Sequence, residues 1–233
     1  MKTVILCGGL GSRLSEETKV KPKPMVKVGK KPILCHITDI YKNFGFNEFI
    51  LALGYKGNYI RNFYLKNKNS EKIKLINTGK NTMTGGRLLR LKKYFKKGET
   101  FMLTYGDGLS SQNIRKLLSF HKMHKKIATI TAVRPPARFG EIKLRGNKVL
   151  KFQEKPQIST SWINGGFFIF NYKIFDFIKG DKTMLEREPL EKLTKRGQLA
   201  AYKHYGFWRC MDTMRDKVLL DKMCKGKKIP WGK

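Results

Sequence analysis

Acidic side chains are scarce in this chain: 17 Asp and Glu stand against 50 Lys and Arg, so few carboxylates are on hand for acid–base or metal chemistry. Cysteine is also sparse. Its four copies, Cys7, Cys35, Cys210 and Cys224, show no CxxC spacing, which argues against a disulfide framework or a structural metal. No apolar run approaches the ~18 residues that a bilayer span needs. The apolar stretch after Met1-Lys2 is too short for a secretory h-region and runs straight into a glycine loop. A soluble cytoplasmic protein with no membrane partner is therefore expected. HExxH, zinc-finger and GxSxG spacings are all absent, so no activated nucleophile is evident.

The basic excess, a formal net charge of +33 over 233 residues, invites a nucleic-acid reading. Yet 38 of the 50 basic residues are Lys, spread along the whole length, whereas base readout favours Arg. No nucleic-acid partner is expected, and a non-catalytic nucleic-acid-binding or regulatory protein stands only as a remote alternative. The charge should still draw anionic substrates towards the surface.

What is present alternates. Apolar runs at 3–7, 48–54, 72–77, 100–105 and 127–133 read as strands. Between them, 33–44, 58–65, a basic stretch ending near Phe95, and 113–124 carry helical spacing. The order predicts an α/β, Rossmann-like sheet, mixed but mostly parallel, with helices on both faces. Such sheets bind ligands beyond the carboxyl ends of their strands. From Phe139 onwards, EIKL, KVLKFQ and WINGGFFIF look like strands joined by short turns, predicting a smaller antiparallel part that forms a lid or floor. Helical stretches follow near 172–179, 184–196 and 213–225. Residues 1–233 read as a single domain, divided into halves at about 135/136.

The stretch TVILCGGLGSRL (3–14) runs from a strand into Gly8, Gly9 and Gly11 and then Arg13. Glycines there let the backbone approach a ligand, and successive N–H groups can cradle phosphate. A purely structural turn would look the same, but Arg13 can chelate phosphate bidentately. Lys23 stands between Pro22 and Pro24, so its backbone is stiff and its ammonium can be aimed. Asp107 lies in a Gly-Asp-Gly turn after FMLTY. It suits Mg²⁺ on a triphosphate, or a turn that satisfies its own backbone. Asp212 suits a metal as well, or the N-cap of a helix starting near Met214. An attacking phosphate oxygen would need no general base, because it is already anionic near neutral pH. Alignment and charge neutralisation would suffice.

LCGGLGSRLSEETKVKPKPMV resembles the signature of the sugar-phosphate nucleotidyltransferases. INTGKNTMTGGRL, FMLTYGDGLS, TAVRPPARFGEI, FQEKP, INGGFFIF, EREPLEKL and GFWRCMDTMRDK, in that order, are similar to the glucose-1-phosphate cytidylyltransferase branch. The resemblance implies the nucleotide-diphospho-sugar transferase fold, with a sugar-binding second half. It also implies Mg²⁺-dependent transfer of a cytidylyl group from CTP to glucose 1-phosphate, releasing pyrophosphate. That product would serve deoxysugar and surface-polysaccharide (lipopolysaccharide, O-antigen) synthesis, and the enzyme would be a homo-oligomer. UTP, dTTP or another phosphorylated acceptor is the nearest alternative.

By the same resemblance, Arg13 and Lys23 are catalytic, and Leu6, Cys7, Gly8, Gly9, Leu10, Gly11, Ser12, Arg13, Lys23, Thr82, Arg87 and Gly106 hold the nucleotide. Gly140, Glu154, Lys155, Asn164 and Gly165 meet the sugar phosphate, and Asp107 and Asp212 bind the metal. The chain departs from the pattern in four places: Cys7 stands for an alanine, Cys35 for a tryptophan and Ala137 for a glycine, and the segment between Tyr64 and Lys72 is short.

Overall fold

The structure, a computed structural model, describes residues 1–67, 72–135, 140–154, 161–226 and 228–232. Lys155, Ala137 and the Arg138-Phe139 pair lie outside these residues. In chain order, β1 (Lys2–Cys7) leads through a 3-10 turn at Ser12–Leu14 to α1 (Ser15–Thr18). A second 3-10 turn, Lys23–Met25, precedes the short β2 (Lys27–Val28) and β3 (Lys31–Pro32). The alternating section follows: α2 (Ile33–Lys42), β4 (Glu48–Leu53), α3 (Gly57–Lys66), β5 (Lys72–Asn77) and α4 (Thr84–Arg90). Next come β6 (Thr100–Tyr105), β7 (Gly108–Ser110), α5 (Ile114–His124) and β8 (Ala128–Val133). The remainder is β9 (Glu141–Arg145), β10 (Lys148–Gln153), β11 (Ile163–Asn171), α6 (Glu188–Lys195), β12 (Leu199–His204), β13 (Trp208–Cys210) and α7 (Met214–Cys224).

Seven strands form one sheet in the order β12-β8-β11-β6-β1-β4-β5. β6, β1, β4 and β5 run parallel, as does the β12–β8 pair, whereas β11 is antiparallel to both of its neighbours. Burial on both faces explains the near-continuous apolar strands. Ile5 and Cys7 of β1 face one core layer with Ile33, Ile37 and Tyr41 of α2, while Val4 and Leu6 face the other with Leu88 of α4 and Leu190 of α6. Alternation along β4 is the same: Phe49, Leu51 and Leu53 point one way, Ile50 and Ala52 the other.

Two expectations change. INGGFFIF is not part of the small antiparallel appendage: β11 sits inside the main sheet between β8 and β6. Phe167, Phe168, Ile169 and Phe170 are all buried, so this strand needs cover on both faces, which only an interior position gives. The separate antiparallel part is the β9–β10 hairpin. In addition, β12 and β13 were not expected. The edge strand LAAYKH is short and only partly buried, so its sequence lacks a strong period. Among the described residues, no helix is long and apolar enough to cross a membrane.

Candidate functional site

The parallel strands β1 and β6 are neighbours, with Leu6 paired to Tyr105, so both glycine turns emerge side by side. Between them lies a cleft of about 340 Å³. Leu6, Cys7, Gly8, Gly9, Gly11, Ser12, Arg13, Lys23, Thr82, Arg87 and Gly106 all line it, as does Asp107. Leu10 does not: its side chain is 56% exposed. Gly11 has φ of +66°, a left-handed conformation that starts the Ser12–Leu14 turn, and Thr18 Oγ1 donates to its carbonyl at 3.1 Å. Gly106 is required by close approach, because a Cβ there would come within 2.8 Å of the Leu6 carbonyl and 2.9 Å of Pro24.

The carboxylates meet through a small ribbon. β13 pairs antiparallel with β7, Cys210 opposite Gly108, and the Met211 amide donates to the Asp107 carbonyl at 2.9 Å. Asp107 and Asp212 thereby face one point, and the Lys23 ammonium occupies it, 2.5 Å from Asp107 Oδ2 and 2.7 Å from Asp212 Oδ1. Arg13 Nη1 reaches Asp212 Oδ2 at 3.1 Å from the solvent side. Burial alone would lower the Lys23 ammonium, but Asp107 and Asp212 outweigh it and hold it above the ordinary lysine value. Burial would raise Asp212, yet Lys23 and Arg13 keep its carboxyl below the usual range. Burial beside Asp212 and Asp107 pushes the Cys210 thiol up to about 12, so it stays protonated and donates to Asp212 Oδ2 at 3.4 Å.

Geometry bears on the alternative reading of each aspartate. Asp107 is spent on a cation rather than on its own turn. Asp212 is not the helix cap: Thr213 caps α7 in a reciprocal box with Asp216. The donor set fits Mg²⁺, a hard cation commonly held by one or two carboxylates plus substrate phosphate oxygens, and in the structure the lysine ammonium is the cation that the two carboxylates hold. Among the described residues no cluster of three or more His, Cys, Asp or Glu is placed to hold a metal.

Arg87 behaves differently from the other basic residues. It is 4% exposed, and its terminal nitrogens donate to the carbonyls of Gly8 (2.8 Å), Leu53 (3.3 Å), Gly79 (2.6 Å) and Lys80 (3.2 Å) and to Thr78 Oγ1 (2.9 Å). Its guanidinium ties together the carboxyl ends of β1, β4 and β5 beneath the glycine loop. Gly8 is a glycine for this reason, since a Cβ would lie 2.2 Å from Arg87 Nη1.

The expected sugar-side residues divide into two groups. Asn164 Nδ2 donates to the Tyr105 hydroxyl at 3.2 Å, and Tyr105 lines the cleft. Gly165 follows it, its carbonyl accepting from Trp208 Nε1 at 2.7 Å. Gly140 and Glu154 meet each other at the base of the β9–β10 hairpin, where a Cβ on Gly140 would be 3.0 Å from Glu154 Oε2. Neither lines the cleft. The sequence reading missed Tyr105, Thr84 and Glu186. Tyr105 precedes Gly106 and could have been found from its place at a strand end; Glu186 opens the EREPLEKL motif, but nothing local to it says which residues it faces.

The family model for nucleotidyl transferases matches residues 2–213. The chain is 46% identical over 253 aligned residues to the glucose-1-phosphate cytidylyltransferase of Salmonella typhimurium, covering 99% of this chain and 98% of the relative. A probable glucose-1-phosphate cytidylyltransferase of Bacillus subtilis is 42% identical, over 96% of each chain. The crystal structure of HddC from Yersinia pseudotuberculosis superposes with a TM-score of 0.77 at 27% identity, covering 96% of this chain and 99% of that one.

Proposed function

The chain belongs to the nucleotidyl transferase family, and from that premise we propose that it transfers the cytidylyl group of CTP to α-D-glucose 1-phosphate. A phosphate oxygen of the sugar phosphate attacks the α-phosphorus of CTP in line, the bond to the β-phosphate breaks, and pyrophosphate leaves. The observation that carries this reading is the convergence of Asp107, Asp212, Lys23 and Arg13 at the mouth of the glycine loop. It provides charge neutralisation on a triphosphate and holds Lys23 as an ammonium rather than a nucleophilic amine, which suits an attacking oxygen that is already anionic. The near-full-length likeness to glucose-1-phosphate cytidylyltransferases supports the substrate pair.

Asp107 and Asp212 would hold Mg²⁺, which when bound neutralises phosphate charge and aligns the attacking and leaving oxygens. Lys23, relieved of the two carboxylates, swings its ammonium to the triphosphate; Arg13, 70% exposed, closes on the same charge from outside. The N–H groups of Gly8 to Ser12 cradle phosphate while Arg87 keeps their loop in place from below. Asn164, bonded to Tyr105 of the cleft wall, and Gly165 would meet the glucose side, and Gly140, Glu154 and Lys155 are assigned to the sugar phosphate by the resemblance alone. On this reading residues 1–135 are the nucleotide-binding half and 136–233 the sugar-binding and metal-completing half of one catalytic domain. The reading keeps the cytoplasmic location expected from the sequence and the homo-oligomeric assembly that the resemblance implies.

A panel of CTP, UTP, dTTP and GTP, each with glucose 1-phosphate and with mannose 1-phosphate, tests the assignment by pyrophosphate release. CTP with glucose 1-phosphate should give the highest kcat/KM by at least about ten-fold, equivalent to one well-placed hydrogen bond. A higher value for any other pair would overturn the specificity.

A further inference from the structure

EREPLEKL brings one residue into the site that no role above uses. Glu186 lies just before α6, far in sequence from the glycine turns, yet its carboxylate accepts from two residues of the cleft wall. The Tyr105 hydroxyl donates to Oε1 at 2.6 Å and Thr84 Oγ1 donates to Oε2 at 2.6 Å. Thr84 stands beside Thr82 and Met83 on the nucleotide side, and Tyr105 also accepts from Asn164 Nδ2 on the sugar side. We propose that Glu186 is a positioning residue which, through Tyr105, sets the orientation in which Asn164 is presented to the sugar phosphate. The inference rests on the function proposed above and adds a determinant of sugar-phosphate binding to it.

The argument is one of donor and acceptor polarity. A phenol has one proton. With that proton committed to Glu186, the oxygen can only accept from Asn164, so the Asn164 amide nitrogen must point at Tyr105. The Asn164 carbonyl oxygen then faces the other way and accepts from the Gly166 amide at 2.8 Å. The second amide proton and the remaining lone pair are left with fixed positions for sugar hydroxyls. Backbone geometry agrees. Gly166 has φ of +76° and a Cβ there would be 2.5 Å from the Tyr105 ring, so the ring lies directly against the backbone that carries Asn164. The register of β11 against β8 shifts between Asn164 and Phe168, an irregularity of the kind that re-aims side chains next to active sites.

Loss of Glu186 should fall on the sugar side. Thr84 keeps a second anchor, because its hydroxyl accepts from the Leu185 amide at 2.9 Å. The start of α4 is also held independently, with the Met83 amide on the Asp181 carbonyl (2.9 Å) and the Gly85 amide on the Thr183 carbonyl (3.0 Å). Tyr105 has no comparable replacement for its donor bond.

Steady-state kinetics of the full chain with Mg²⁺, CTP and glucose 1-phosphate, or whichever pair the wild type turns over best, provide the test. Glu186→Leu, which leaves no acceptor for the Tyr105 hydroxyl, and Tyr105→Phe should each raise KM for the sugar phosphate about ten-fold, the scale of one hydrogen bond to a charged group. KM for the nucleotide should move less than about three-fold, and the double variant should be no worse than the weaker single, because both remove the same contact. Equal rises in both KM values, an additive double variant, or an unchanged sugar-phosphate KM would each overturn the inference. If Glu186→Leu does not fold, Tyr105→Phe decides by the same KM split. Failure of the underlying function would show instead in the wild type, as turnover of a different pair.

Discussion

The Lys23 ammonium lies 2.5 Å from Asp107 Oδ2, in the position where a cation must sit if the two aspartates are to share one with a triphosphate. On the proposed function, substrate and metal would have to displace this ion pair, which holds the two carboxylates in register.

Asp107→Asn removes one charge from that cation site. Turnover should fall at least ~100-fold, as when a charge-stabilising group of the transition state is lost. Single-turnover measurement at saturating Mg²⁺ checks it, and near-wild-type turnover would remove Asp107 from the metal role.

Lys23→Met leaves two carboxylates facing each other without their cation, an arrangement that favours metal. The variant should melt lower than wild type in EDTA and recover on adding millimolar Mg²⁺, by mass action on the folded state. Calorimetry with and without Mg²⁺ reads this directly. A melting temperature that ignores Mg²⁺ would argue against a shared metal site.

Arg87→Met should cost about 3 kcal/mol or more, since several buried carbonyls lose their donor at once. Denaturant unfolding measures it. Gly8→Ala should weaken nucleotide binding as well, because its Cβ would displace the same guanidinium.

The acid limb of stability should depend on Asp212. Its native pKa is held below the ordinary value of 3.8, so its contribution is complete above that value and is lost as pH falls through the lower native one. Asp212→Asn should therefore lose less stability than wild type on acidification from about pH 5 to about pH 2.5. Lys23 works at the other end: its raised value makes its contribution complete below the unfolded value of 10.5 and lost as pH rises through the native one.

Much of this architecture is legible in the residues. The apolar runs of β1, β4 and β6 announce buried strands, and Ile33, Ile37, Ile40 and Tyr41 announce the inner face of α2, because burial and period are local properties. The glycine turns and Lys23 stand out for the same reason: φ restrictions and proline stiffness act within a few residues. By contrast, the place of β11 within the sheet depends on which partners cover its two faces, and nothing in INGGFFIF specifies them.

What the sequence determined by itself is the class of ligand and chemistry: a strand-to-glycine turn, a stiffly held lysine, two carboxylates and no nucleophile. What only the tertiary structure decided is which of these groups meet. The β7–β13 ribbon brings Asp212 to Asp107, Thr213 frees Asp212 from capping, and Glu186 joins the wall through Tyr105 and Thr84. These are long-range pairings, set by sheet order and hydrogen-bond register. The residues that make them carry no local mark of it.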